Sequence, residues 1–210
     1  LKSGVVLTSF SGAFVPQIGW DESLGMPTRD NAVESKEYAD DYYQQRVPSF
    51  VGTNGGIPYD VRLTVSGPAD YTYNSVGVRV SDTVAGGRRT TVWQTEHPVS
   101  FFNIVAGRWA VKEGKDDTVI YYHPEHKYNI EVMSRALDAA RVYYSQWFAP
   151  YPWKTLKLSE FPAYANYAQG FPTNITFSEG IGFLTKDDPR AAVAFLVTAH
   201  ESAHQWWGNI

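Results

Sequence analysis

Residues 200–209 read His200-Glu201-Ser202-Ala203-His204-Gln205-Trp206-Trp207-Gly208-Asn209, and the rest of the chain is read outward from this run. On a helix, positions i and i+4 stand on one face, one turn apart. His200 and His204 can therefore turn two imidazole nitrogens onto one tetrahedral zinc ion. Glu201 lies beside them. It can reach a water held on such an ion without being a ligand, which makes it the candidate general base. The competing reading is an ordinary helix pattern. Against it, the run sits on a largely apolar helix, and a buried helix has no cheap use for two imidazoles and a carboxylate unless something pairs them. The helix has a start signal in Asp187-Asp188-Pro189, an acidic cap followed by proline at the first helical position. Ala191 to Trp207 is helix-permissive and expected to be buried, with Trp206 and Trp207 as core anchors behind the helix.

Upstream, Leu156 and Leu158 alternate with Lys157 and Ser159, the period of a strand. Ile175-Thr176-Phe177 reads as a second short strand, closed by Gly180 and Gly182. Residues Ile175 to Ser178 are expected to form an exposed edge, to which an extended peptide could add its backbone. From Asn129 the period becomes helical, with Ile130, Met133, Leu137, Ala140, Tyr144 and Trp147 on one face. Asn129 is the expected N-cap, Glu131 suits the first turn, and Pro150 and Pro152 end the segment.

Before residue 115 the chain reads as β-structure. Val5–Phe10 is a β-rich apolar run, and residues 21–36 are polar and turn-rich. Residues 34–46 fit a short helix or an extended segment equally. Tyr59, Val61, Leu63 and Val65 alternate with polar residues, and Val76, Val78 and Val80 repeat the pattern. Ala85-Gly86-Gly87 before Arg88–Gln94 predicts a hairpin. Ser100–Val105 and Val119–Tyr122 are further strand candidates. The expected fold is a mainly β N-terminal part, an antiparallel sandwich or saddle, over residues 1–112, followed by an α+β part over 113–210.

Composition narrows the function classes. The chain has 210 residues, 15% aromatic side chains and a formal net charge of −4. No basic cluster offers a footprint for nucleic acid. It has no cysteine, so disulfides and thiolate metal sites are excluded. No apolar stretch approaches the roughly 20 residues needed to span a bilayer. Both ends read as cut, as in a segment excised from a longer protein. His123-Pro124-Glu125-His126 is read as ordinary surface or junction residues, because Pro124 argues against a helical metal face. His97 shows no partner in the sequence, and Arg88-Arg89 reads as a solvated hairpin.

HESAHQWWGN resembles the helix of the M1 family of zinc aminopeptidases (gluzincins), in which HExxH is followed by Gln, Trp, an aromatic, Gly and Asn. The segments Tyr144–Trp153 and Leu156–Pro162 are similar to the family's helix end and following strand. The resemblance implies the first half of a thermolysin-like zinc-peptidase domain. His200 and His204 would hold Zn2+, with Glu201 as the base. It implies a third ligand, a Glu, at about position 223, because a catalytic zinc takes three protein ligands. The site would then be incomplete within these 210 residues, and activity of the segment itself is uncertain.

One departure stands out. Anchored on Ile175–Glu179, the family's amine-binding Glu falls at Gly170, which puts aminopeptidase specificity in question. Glu179 is a conceivable substitute. The wording around Gly12–Trp20 and Pro172–Phe183 looks like a bacterial branch in which an M1-like domain is joined to an ABC-transporter permease. That implies an extracytoplasmic domain of a membrane protein, with peptide substrates or ligands and permease segments as partners. The alternative function is a non-catalytic peptide- or partner-binding module of such a transporter.

Overall fold

The structure, a computed structural model, describes residues 4–8 and 58–208. The readings for residues 9–57, including the 34–46 segment, lie outside them. Two three-stranded antiparallel sheets come first in the chain. They are built from β1 (Val6–Leu7), β2 (Arg62–Pro68), β3 (Thr72–Ser75), β4 (Val78–Ala85), β5 (Arg88–Gln94) and β6 (Ile104–Gly107). One has the order β1-β6-β3 and the other β2-β5-β4.

The β4–β5 hairpin turns where expected. Gly86 and Gly87 have φ of 56° and 74°, the paired left-handed conformation that a two-residue turn of this hand requires. Leu63 and Val65 face inward along β2 while Arg62, Thr64 and Ser66 face solvent. The second valine series is not one face. Val76 is buried ahead of β4, and the register shifts between Arg79 and Ser81. That bulge turns Val80 out to solvent.

The second part begins with β7 (Ala110–Glu113) and β8 (Thr118–Tyr122), so the expected boundary at 112/113 falls inside β7. Helix α1 (Ile130–Trp147) follows, then β9 (Leu156–Phe161), β10 (Ala168–Phe171), β11 (Asn174–Ser178), the one-turn α2 (Glu179–Gly182) and α3 (Val193–Ala203). The five-stranded sheet has the order β10-β11-β9-β8-β7. Its three central strands are mutually parallel, and both terminal strands are antiparallel. Strand β11, expected at the edge, is internal, and β10 is the terminal strand. The short connection through Pro172 and Thr173 folds β10 back outside β11, a pairing that alternation in β11 alone could not reveal. All six residues of β9 are buried, including Lys157, because the first part of the chain covers the face that alternation assigned to solvent.

The main core lies between this sheet and the helices. Ile120, Leu156, Leu158, Ile175 and Phe177 pack against Ile130, Met133, Leu137 and Ala194. Burial of each such side chain contributes on the order of 1.5–3 kcal/mol. The predicted face of α1 is correct from Ile130 to Ala140, but Trp147 is exposed at the helix end. Asn129 occupies the N-cap position without capping. Its backbone is left-handed, with φ 60°. Its amide instead donates to the carbonyls of Gly182 and Thr185, both at 2.8 Å, and accepts from the Asp187 N–H.

A polar seam joins the two parts. Asn74 Nδ2 donates to Ser159 Oγ at 2.7 Å and to Asn174 Oδ1 at 2.9 Å. Asn174 Nδ2 in turn donates to Asn103 Oδ1 at 3.2 Å. All four side chains are fully buried. Lys157 Nζ donates to the Gly77 carbonyl and lies 4.4 Å from the centre of the Trp93 ring. Burial holds the Lys157 amine well below the ordinary lysine range. Val61, Val76, Val99 and Phe101 meet Trp153 and Phe171 in a second apolar cluster across the same junction.

Candidate metal centre

Helix α3 is shorter than the sequence reading of 191–207. Asp188 engages Arg190 with its side chain, and its carbonyl accepts from the N–H groups of Ala191 and Ala192. This one-turn loop uses up the residues after Pro189. Ala192 then sits in a left-handed conformation, with φ 45°. The acidic cap is nevertheless real. Asp187 Oδ2 accepts from the N–H of Ala194 at 2.6 Å, one of the donors a helix leaves unpaired at its start. The helix is also less buried than expected, with Val193 and Leu196 facing solvent. Of the two tryptophans, Trp206 is buried and donates to the Ala149 carbonyl at 2.7 Å. Trp207 is 47% exposed and packs edge-on against Phe148.

His204 closes α3 with helical dihedrals, φ −61° and ψ −13°, so the i, i+4 relation to His200 is kept. Ligand atoms of His200, Glu201 and His204 all lie within 4.8 Å of one another. The two imidazole rings are 5.2 Å apart and nearly perpendicular. Glu201 is buried between them in sequence, and His200 is exposed. His204 Nδ1 lies 3.1 Å from the Trp207 carbonyl oxygen. A carbonyl only accepts, so Nδ1 carries the proton and Nε2 keeps its lone pair. This is the arrangement by which metal-ligating histidines are usually oriented. The donor set thus fits a zinc ion.

The sequence reading passed over Gln205, which ties this helix to the sheet. Its side chain is fully buried. Oε1 accepts from the Thr173 N–H at 2.7 Å, and Nε2 donates to the Phe171 carbonyl at 2.9 Å. Both contacts fall on the β10–β11 turn, where Thr173 has a φ of 62°, uncommon for a β-branched residue. The Gly77 N–H donates to Thr173 Oγ1 at 2.7 Å and helps hold it there. The signal was present in the polar residue following His204 on an otherwise apolar helix end. Gly170, on β10, runs directly beneath the helix. A Cβ there would stand 2.7 Å from the Glu201 carbonyl oxygen and 3.0 Å from His204 Cβ.

Other charged residues fall elsewhere. Glu179 does not join the His200 cluster. It lies with His126 and Glu160 in a second group, so His126 has two carboxylate neighbours that its sequence context did not announce. His97 has a partner after all, the Pro152 carbonyl at 3.1 Å. Arg89 is paired with Asp82 at 2.7 Å rather than merely solvated.

No sequence-family profile matches the chain, and no curated protein matches it. Among solved structures, the chain is similar to an M1 zinc metallopeptidase from Deinococcus radiodurans, with a TM-score of 0.55 and 18% identity. The match covers 76% of this chain and 36% of that one. The fold resembles that of M1 zinc metallopeptidases. A two-domain M1 zinc metallopeptidase mutant bound to L-arginine matches with the same TM-score, identity and coverage. A third match, to a mutant of the Deinococcus radiodurans enzyme, has a TM-score of 0.53 at 18% identity, over 72% of this chain and 35% of that one. The chain therefore spans about a third of the length of the structures it matches. Among the described residues, no helix is long and apolar enough to cross a membrane.

Proposed function

We propose that this chain carries two zinc ligands and the general base of an M1-like peptidase centre, acting on peptides. The observation that supports this most strongly is the convergence of His200, Glu201 and His204 within 4.8 Å, with His204 oriented through Trp207. His200 and His204 would hold the ion. When bound, zinc supplies positive charge that lowers the pKa of a coordinated water. Glu201 takes the proton of the attacking water as oxygen adds to the scissile carbonyl carbon. It then returns that proton to the amine nitrogen as the C–N bond breaks. Gln205 holds the β10–β11 turn against α3, so the base and the sheet keep a fixed relation. The third ligand, placed by resemblance at about position 223, would complete the three that a catalytic zinc takes.

Gly170 bears on specificity. The contact of a Cβ with the Glu201 carbonyl leaves no room for a carboxylate side chain at this position. Recognition of a free N-terminus through a glutamate at this position is therefore not available to this chain. One structure of this fold carries L-arginine, and peptides or amino acids are accordingly the ligand class we propose. From the resemblance alone we place the domain outside the cytoplasm, beside permease segments.

The test is zinc content and peptide hydrolysis by the domain extended past position 223, beside Glu201→Gln. The expected result is unchanged zinc and a loss of rate on the order of 10²–10⁴-fold, the usual contribution of a positioned acid–base group. Unchanged hydrolysis in the variant would remove Glu201 from the mechanism. Zinc binding with no hydrolysis in either protein would instead support the non-catalytic binding module.

A further inference from the structure

The three parallel strands β8, β9 and β11 all end on one side of the sheet. Open sheets of this kind place ligands outside the carboxyl ends of their parallel strands. Here those ends bring together residues far apart in sequence. His123 and His126 follow β8, Glu160 is the fifth residue of β9, and Glu179 directly follows β11. Together with Arg108 and Trp109 they line a cavity of about 380 Å³. Glu160 is 3% exposed.

The hydrogen bonds fix the roles within this group. Glu160 Oε2 accepts the His123 backbone N–H at 2.7 Å, and Glu160 Oε1 is in close contact with His126 Nδ1. A carboxylate paired with Nδ1 places the proton on that nitrogen and leaves the lone pair on Nε2. His126 Nε2 then faces Glu179 Oε2 at 3.9 Å. That gap is too long for a hydrogen bond. Two ligand atoms held at about 2.0–2.2 Å in tetrahedral coordination stand about 3.4 Å apart, so a shift of about half an ångström closes the pair onto one ion. Glu179 keeps its other oxygen on the Ala163 N–H at 2.9 Å, which holds the carboxylate in place. His123 is a poor ligand, because its Nδ1 already accepts the Glu125 N–H at 3.2 Å. Its ring lies tilted against that of His126, with ring centres 4.8 Å apart.

We propose that His126 Nε2 and Glu179 form a second binding site for a divalent transition-metal ion, with Glu160 behind His126 as the orienting carboxylate. Mixed imidazole and carboxylate donors select ions of the zinc, cobalt and manganese kind over calcium or magnesium. The remaining coordination positions open to the cavity, so the ion is exchangeable. The site is independent of the His200–His204 centre and does not rest on that centre's reading.

The experiment is a Co2+ and Zn2+ titration of the chain with His200→Ala and His204→Ala already in place, followed by absorption and calorimetry. One equivalent is expected to bind. Adding His126→Asn or Glu179→Gln should weaken binding at least about 100-fold, and Glu160→Gln about 10–100-fold, as for other residues that orient a ligand. Circular dichroism and the thermal midpoint check folding. Glu179→Gln is the safer variant, because an amide oxygen can still accept from the Ala163 N–H. Absence of stoichiometric binding in the parent variant overturns the proposal. Binding that survives both His126→Asn and Glu179→Gln overturns it equally.

Discussion

At the residue scale, Lys157 shows how far alternation can mislead. Its position between Leu156 and Leu158 marks it as solvent-facing, yet it is 2% exposed. The residues that cover it, Gly77 and Trp93, come from the first part of the chain, 80 and 64 positions away in sequence, and no local pattern announces them. Its amine is held well below the ordinary range by burial. Between that lowered value and the ordinary lysine range near about 10.4, the unfolded chain binds one more proton than the folded one. Stability therefore rises with pH through this window, and the penalty is complete below it. Lys157→Met removes the titrating group. Urea unfolding of both proteins from about pH 7 to pH 10 should show a shallower rise in the variant over the lysine window. Equal slopes would mean the amine is not depressed.

At the element scale, the HExxH run was legible because its spacing speaks directly to helix geometry. Hairpin β4–β5 was legible for a similar reason, since Gly86 and Gly87 encode the turn itself. The ends of α3 were not. The loop made by Asp188 and Arg190 competes with the helix for the same residues, and a start signal does not say which side chain will cap. The placement of β10 outside β11 was also hidden, because a two-residue connection can be read only once both strands are known. Their packing against α3 gives a sharp prediction. Gly170→Ala places a methyl group 2.7 Å from a backbone oxygen that cannot swing aside. Overpacking of this kind costs about 1–3 kcal/mol, so the thermal midpoint should fall. Zinc affinity at His200 and His204 should weaken with it, read by metal titration. A variant with unchanged midpoint and affinity would place the strand further from the helix than described.

At the scale of the whole molecule, the α+β part and the preceding antiparallel sheets were foreseen as classes, and the second His/Glu group was not. His126, Glu160 and Glu179 are separated by 34 and 19 positions, and only the parallel order of β8, β9 and β11 gathers them. The junction was equally illegible, since Asn74, Asn103, Ser159 and Asn174 look like ordinary polar strand residues. Their network binds the two parts into one unit. Asn174→Ala should leave buried partners unsatisfied and cost about 1–3 kcal/mol. Denaturant unfolding should shift as a single transition, because both parts lose the same contacts. A transition that splits in the wild-type chain would show that the seam does not couple them.

The buried amine at that seam has a further consequence. Burial lowers the Lys157 pKa and so favours the free, nucleophilic amine, but Lys157 is walled off from water by Trp93 and the Gly77 carbonyl. An acylating reagent can reach it only when the two parts momentarily separate. Lys157 is thus a built-in clock for the breathing of the molecule. Its rate of chemical labelling, set against that of the exposed lysines, counts how often the junction opens.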